Sequence, residues 1–219
     1  MSIAKGKSDI EAERDLVILG FKEQINCLKD AFSLQESALK AQLDYISGDP
    51  KSGIDEITSI EKPYIEELQS IQEQHTRIRK TILIGIYSLW ELSLKSIKDT
   101  KSLQSSKNDT QLSIIENKKK SIAWNYLNEI YNESIPSSSL SIDNSVRILR
   151  NHMVHGRLSE DHLCNLRKFA LSHSNLHLAI CNKECDFSNY DGLLNLLDII
   201  SCELSSAECE MRKSIILSK

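Results

Sequence analysis

Apolar residues near the start of the chain recur at the spacing of an amphipathic helix. A seven-residue repeat includes the apolar residues Ile25, Leu28, Phe32, Leu39 and Ile46. The repeat predicts a long helix over residues 9–46, and glycine and proline in residues 48–53 predict a turn. A second apolar pattern, spaced by three and four, predicts a helix over residues 57–97 whose regular part begins near Pro63. The two helices together predict an antiparallel helical hairpin.

Further helices are predicted in the remainder of the chain. The amphipathic stretches are residues 117–133, 142–155, 160–171 and 191–216. A proline and a run of serines in residues 134–141 predict a linker, and Gly156 predicts a left-handed helix cap. Ser159 or Asp161 would cap the helix that follows, while residues 176–187 fit either a strand pair or an irregular loop. The predicted fold class is therefore all-α, a helical bundle with a long N-terminal hairpin.

Composition restricts the classes of function. Of 219 residues, 40% are hydrophobic and 26% are charged, as in soluble globular proteins. The net charge of −4 argues against a positive coat for wrapping duplex nucleic acid, although a local basic site can still act on RNA. No run approaches the roughly 20 apolar residues of a membrane span, and residues 1–15 are polar. With six cysteines and no export signal, we expect reduced thiols, a cytoplasmic location and no membrane association.

Residues 150–156 carry the candidate chemistry. Arg150 and His155 stand five positions apart at the predicted end of a helix. On a regular helix, Arg147, Asn151 and His155 share one face, opposite an apolar stripe. Arg150 lies on the flank, about 140° from His155. The two side chains therefore converge only if Arg150 curls round, if the last turn unwinds, or if a second copy of the chain completes the site.

A guanidinium and an imidazole can together cleave RNA. A base removes the proton of a ribose 2′-hydroxyl, which attacks the adjacent phosphorus, and an acid protonates the leaving oxygen; histidine can serve in either role near neutral pH. A guanidinium binds two phosphate oxygens and stabilises the negative charge of the transition state. The same residue types are also common at helix C-termini, where they offset the helix dipole without any catalytic role. Spacing alone does not separate these two interpretations.

Two segments of the chain resemble the HEPN superfamily of small helical ribonucleases. Residues 150–156 fit its Arg-x4-6-His motif, with the asparagine that often follows the arginine. Residues 87–95, with the pattern Tyr-x-x-Trp-Glu-x-x-x-Lys, are similar to a segment of the MAE-type HEPN-like nucleases and precede the Arg/His motif in the expected order. The chain departs from that segment at Leu92, where the family often has glycine. The resemblance covers roughly residues 77–215 and leaves the N-terminal hairpin outside.

The resemblance implies a HEPN-like helical bundle that dimerises and places both Arg/His motifs in a shared cleft. Arg150 and His155 would be catalytic, with Asn151 in support, in a metal-independent endoribonuclease of a toxin–antitoxin or antiviral system. Candidate supporting or substrate-binding residues are Glu91, Arg147 and His152. No metal or other cofactor is expected; the expected partners are RNA, a second copy of the chain, and an antitoxin or defence-system protein. The chain would divide into a hairpin over residues 1–76 and the HEPN-like bundle over residues 77–219.

Two other functions are compatible with the same sequence. The bundle could be a catalytically silent module that binds a protein or a nucleotide through the same cleft. A zinc-stabilised helical adaptor would use four residues that recur every four positions. These are His173, His177, Cys181 and Cys185. Their simpler interpretation is a stripe of small, soft side chains that pack in the core.

Three further features have both a structural and a functional interpretation. Glu91 is either a buried carboxylate paired with a nearby cation or a side chain that faces solvent. Trp90 and Tyr87 are predicted to lie in the core rather than to stack on RNA. The lysines at 107 and 118–120 are predicted to form a solvated face rather than a phosphate contact.

Overall fold

Helices account for nearly all of the secondary structure. A computed structural model describes residues 3–47, 54–102, 121–132, 134–156, 158–181 and 184–217. Within these ranges the helices are α1 (Ile3–Ser47), α2 (Ile54–Ser102), α3 (Ile122–Ile130), α4 (Ser137–His155), α5 (Glu160–Ser172) and α6 (Tyr190–Leu217). Between α5 and α6 lie a 3₁₀ turn (Ser174–Leu176) and the antiparallel strands β1 (Leu178–Cys181) and β2 (Glu184–Phe187). The all-α prediction is confirmed.

The core forms around the second half of α2. This helix packs against α1, α3, α4 and α6. Its fully buried side chains, spaced by three and four, are Leu83, Ile86, Trp90 and Leu94. From α6 the core receives Leu193, Leu196, Leu197, Ile200 and Leu204. Each square ångström of apolar surface removed from water contributes about 25 cal/mol, so this shared stripe holds α2 at the centre of the bundle.

Helix α1 packs along helix α6. Ile18 and Ile25 of α1 are buried in the same core as α2 and α6. Three ion pairs follow the contact between the two helices: Arg14–Glu208, Lys22–Asp198 and Lys29–Asp191. The pairs advance along α1 while they go backward along α6, which shows that the two helices are antiparallel.

The far part of the α1–α2 hairpin is largely exposed. Most described side chains of residues 33–47 and 62–70 are accessible to solvent. Pro63, expected near the start of the helix, lies inside α2 at an exposed position, where water can bond the carbonyl that proline leaves unpaired. The predicted domain boundary between residues 76 and 77 falls within α2, which is continuous there. The turn predicted at residues 48–53 lies outside the described residues.

Several helix starts differ from the sequence prediction: α1 begins at Ile3 rather than at residue 9, α2 at Ile54 rather than at residue 57, and α3 at Ile122 rather than at residue 117. α4 begins at Ser137 rather than at residue 142, so the serine run predicted as a linker is its first turn. Pro136 precedes it, a place that suits proline because the first N–H groups of a helix have no partner within the helix. Ser121 caps α3 by accepting a hydrogen bond from a backbone N–H of its first turn. Residues 103–120, which include the lysines at 107 and 118–120, lie outside the described residues.

Predictions at two other helix ends are confirmed. Gly156 ends α4 in the left-handed conformation, with φ 66°. Ser159 caps α5, and the side chain of His162 completes a capping box with it. Of the two alternatives for residues 176–187, the structure contains the strand pair. Among the described helices, none combines the length and apolar character needed to cross a lipid bilayer.

Candidate functional site

The predicted catalytic residues lie on the last turns of α4. The helix continues through His155 before Gly156 closes it, so the last turn does not unwind. Arg150 and His155 keep the separation of about 140° that a regular helix gives. His155 is exposed, whereas Arg150 is partly buried on the side that faces α2. One protomer therefore presents the two groups on different sides of the helix.

The guanidinium of Arg150 is held by two neighbours. Its Nη1 donates a hydrogen bond to Asn151 Oδ1 at 2.9 Å. Its Cζ lies 5.7 Å from the centroid of the Tyr87 ring, within cation–π range. Its Nε is buried and has no hydrogen-bond partner among the described residues. A guanidinium has five N–H donors in total, so these contacts fix its orientation and leave capacity for a phosphate.

Tyr87 links this arginine to Glu91. The Tyr87 hydroxyl donates to Glu91 Oε1 at 2.8 Å, one turn further along α2. Burial, and then the hydrogen bond to Glu91, raise the pKa of Tyr87 above its usual 10.0, so the hydroxyl remains a donor. Glu91 is thus partly buried and bonded to a tyrosine, and no cation of the described residues forms an ion pair with it. The two segments that resemble the HEPN family meet in space where the Tyr87 ring contacts Arg150.

Trp90 belongs to the core, as predicted. It is fully buried, and its Nε1 donates to Asp143 Oδ1 at 3.3 Å. The Ser121 hydroxyl donates to the other carboxylate oxygen at 2.6 Å. Burial raises the pKa of Asp143, and the two hydrogen bonds and a nearby arginine oppose that rise. The network joins the start of α3 to α2 and α4, and so fixes the two helices that carry the candidate site.

The two remaining candidates on α4 have different surroundings. Arg147 is partly exposed, and its Nη2 donates to Asn144 Oδ1 at 2.8 Å on the same helix. His152 is buried, and its Nε2 accepts a hydrogen bond from the N–H of Cys185 in β2 at 3.3 Å. Burial is the largest of the causes that lower the pKa of His152. This histidine therefore joins α4 to the strand pair, away from the exposed face of the helix.

A second buried histidine, His75, lies where α1, α2 and α6 meet. His75 is buried and hydrogen-bonded to the Tyr190 hydroxyl, and its ring centroid lies 4.2 Å from that of Phe32. Arg79 stands over the Tyr190 ring at 5.7 Å and pairs with Asp186 at 3.7 Å. Burial, and then Arg79, lower the pKa of His75. The sequence shows His75 only as one position in an apolar repeat, because helical spacing carries no sign of partners on another helix.

The residues of the zinc hypothesis are spread over different elements. His173 is the C-terminal cap of α5, and His177 follows the 3₁₀ turn. Cys181 lies in β1 and Cys185 in β2. Burial raises the pKa of Cys185 to about 12, which disfavours the thiolate that zinc requires. Among the described residues, no group of three or more His, Cys, Asp or Glu side chains is placed to hold a metal ion.

Comparison with known proteins gives no family assignment. No family model, curated protein or solved structure matches this chain. The HEPN resemblance accordingly depends on the two short segments alone. The structure adds the contact between them, in which the Tyr87 ring lies against the Arg150 guanidinium.

Proposed function

We propose that this protein is a metal-independent endoribonuclease that acts as a homodimer. The proposal depends on the position of the Arg150 guanidinium, which is held between Tyr87 of α2 and Asn151 of α4. The exposed imidazole of His155 lies on α4 as well. A cation that is already fixed in place needs no reorganisation when charge develops in the transition state. The resemblance of both segments to HEPN nucleases supports the same assignment.

Each group has a defined role in the proposed reaction. Arg150 binds two non-bridging oxygens of the scissile phosphate and offsets the negative charge that the transition state gains. His155 accepts the proton of the 2′-hydroxyl while that oxygen attacks phosphorus. The bond from phosphorus to the 5′-oxygen breaks, and the imidazolium of the partner's His155 gives that oxygen a proton. The products are a 2′,3′-cyclic phosphate and a 5′-hydroxyl.

The geometry of α4 supports the proposed dimer. Within one protomer, Arg150 and His155 lie on different sides of the helix, so one copy does not enclose a phosphate between them. A two-fold axis near the end of α4 would bring the motif of a second copy beside the first. Val154, next to His155, leaves 48% of its surface exposed and offers an apolar contact at that end of the helix.

Cleavage of RNA in the presence of EDTA tests the proposal. Wild-type protein should cut a mixed-sequence RNA and leave 5′-hydroxyl ends that polynucleotide kinase can label. Arg150→Ala and His155→Ala should each lower the rate by at least about a hundredfold, with unchanged helical content by circular dichroism. Arg167→Ala and His177→Ala remove exposed residues of the same types elsewhere and should cut like the wild type. Cleavage that survives in both site variants overturns the assignment.

A catalytically silent binding module is the second candidate. The observation in its favour is that a single protomer does not bring Arg150 and His155 together. Such a module would hold RNA, a nucleotide or a protein at the same residues and cut nothing. Expression in a host cell separates the two candidates. Growth arrest that His155→Ala relieves supports a toxin or defence nuclease with a controlling partner protein, whereas RNA binding with neither cleavage nor arrest supports the silent module.

A further inference from the structure

A polar cavity opens between α4, α5 and the first turn of α3. Its volume is about 470 Å³, within the range of small-molecule sites. The lining residues that define its chemistry are Trp124, Ser137, Asp143, Arg147, Asn165 and Lys168. Neither Arg150 nor His155 is among its described lining residues.

The described wall of the cavity carries two cationic side chains and one carboxylate, an excess of one positive charge. Arg147 of α4 and Lys168 of α5 both stand on its wall. Asp143 is a carboxylate among the described lining residues, but it is buried and both its oxygens accept hydrogen bonds from the protein. The first N–H groups of α4, at Ser137, add positive potential, because a helix leaves them unpaired and Pro136 gives no side-chain cap. Both cations are therefore placed to attract a phosphate group into the cavity.

An aromatic ring lies beside the two cations. Trp124, in the first turn of α3, lines the same cavity and is partly exposed. Nucleobases stack on such rings whatever their sequence. Ser141 and Asn165 add a hydroxyl and an amide that can bond a ribose or the edge of a base. Two cations, a ring and hydrogen-bonding groups in one cavity fit a nucleotide better than a simple anion.

The cavity lies in line with the proposed catalytic histidine. Arg147, Asn151 and His155 follow one another at four-residue intervals on one face of α4. Because a helix rises about 1.5 Å per residue, Arg147 and His155 are about 12 Å apart along the axis. A short stretch of a single RNA strand can span that distance.

We propose that this cavity is a subsite for one nucleotide of the RNA strand that is cut nearby. The phosphate of that nucleotide lies between Arg147 and Lys168, and its base stacks on Trp124. The subsite selects strands whose base is unpaired at that position, since a base inside a duplex does not reach the ring. Its link to His155 rests on the proposed nuclease function, whereas the binding itself can be measured without cleavage.

Binding of a single-stranded RNA with 2′-O-methyl riboses tests the subsite, because this RNA lacks the attacking hydroxyl. Arg147→Ala and Lys168→Ala should each weaken binding about tenfold. Each should also lower the slope of log K against log salt concentration by about 0.7. The matched control is Arg167→Ala, which should bind like the wild type, because Arg167 is exposed beside Lys168 on α5 and does not line the cavity. Lys168 is exposed as well, so its removal leaves the fold intact.

Tryptophan fluorescence supplies an independent measurement. The chain has two tryptophans, and Trp90 is fully buried, so quenching by bound RNA reports on Trp124. Trp124→Phe should lose the quenching and keep most of the affinity, because phenylalanine still stacks on a base. Trp124→Ala should lose both the quenching and about tenfold in affinity.

The outcomes separate the subsite from the nuclease. Weaker RNA binding in Arg147→Ala, Lys168→Ala and Trp124→Ala, with no cleavage by the wild type, supports the subsite and rejects the nuclease. Cleavage by the wild type, with RNA affinity unchanged in these three variants, supports the nuclease and rejects the subsite. Quenching of Trp124 by adenosine monophosphate but not by the RNA also rejects the subsite, in favour of a free-nucleotide site.

Discussion

His152 shows how burial sets the charge of a single side chain next to the candidate site. Its Nε2 accepts the Cys185 N–H, so the one proton of the neutral ring is on Nδ1. That Nδ1 is buried without a hydrogen-bond partner among the described residues. Burial, and then Lys80, lower the pKa of His152, while Glu184 and Asp186 of β2 oppose them. The net effect is a ring that resists protonation as long as the protein is folded.

We expect acid to destabilise the fold partly through this ring. Because the pKa of His152 in the folded protein lies below its ordinary 6.5, the unfolded chain takes up the proton first as the pH falls. The free energy of unfolding therefore decreases below about pH 6.5, by at most about 1.4 kcal/mol per pH unit for one group. His152→Gln, which keeps an acceptor for the Cys185 N–H, should show a shallower decrease in urea unfolding between about pH 7.5 and about pH 5.

Comparing the wild type with His152→Gln isolates the contribution of His152 to the pH dependence of stability. The pKa of His75 is also lowered, so His75 contributes the same pH dependence to the wild type and to His152→Gln. The difference between their two curves therefore belongs to His152. Parallel curves over the whole pH range would show that burial does not hold this ring in its neutral form.

At the residue scale, the sequence predicted positions on α4 but not the partners of those positions. The polar face that ends at His155 follows from helical spacing alone, and α4 is helical throughout that stretch. The contact of Arg150 with Tyr87, and the burial of His152 against β2, depend on how distant parts of the chain pack. Spacing within one helix carries no information about those contacts.

At the scale of elements, two positions require glycine for different reasons. Gly156 has φ 66°, and a Cβ there would meet nothing within 4 Å, so only the backbone conformation disfavours a side chain. Gly192 lies in the first turn of α6, where a Cβ would overlap the Leu176 carbonyl and come within 2.7 Å of Phe187 Cδ1. The absence of a side chain at Gly192 lets the 3₁₀ turn and β2 pack directly on α6.

Alanine at these two glycines should destabilise the fold by different amounts. Gly156→Ala should cost about 1 kcal/mol, which is the cost of the left-handed backbone alone. Gly192→Ala should cost about 3 kcal/mol, because a backbone carbonyl has to move, although alanine is the better helix former in isolation. Urea unfolding measures both, with Gly20→Ala as the control at an open helical position. A Gly192→Ala protein as stable as this control would contradict the close contact.

Element boundaries were predictable where local chemistry decides them. Gly156 and Ser159 mark helix ends through their own backbone and side-chain preferences. The start of α4 was missed because a serine run has little intrinsic helix preference; its first turn is instead fixed by tertiary contact, since Ser139 is buried and donates to Glu203 of α6. The strand pair stayed ambiguous because strands of four residues give too short a pattern to distinguish.

At the scale of the whole molecule, the proposed cleft needs two copies of the chain, and subunit mixing tests this directly. If one imidazole takes a proton while the partner's His155 gives one, only dimers with two wild-type subunits cut at full rate. An equimolar mixture of wild-type and His155→Ala protein, after subunit exchange, should then retain about a quarter of the activity of the same total amount of wild type. Independent sites would retain about half, and a mixture with Arg167→Ala should retain all of it.

The ion pairs between α1 and α6 have a consequence for how the molecule is made. They join residues that are 194, 176 and 162 positions apart in the chain. During translation α1 and α2 leave the ribosome well before α6 exists, so the apolar side that carries Ile18 and Ile25 has only α2 to cover it until α6 is made. The core around α2 is completed only when α6 adds its buried leucines and isoleucines. If the proposed dimer is the species that cuts RNA, a nascent chain would spare the messenger RNA and the ribosome that are still producing it.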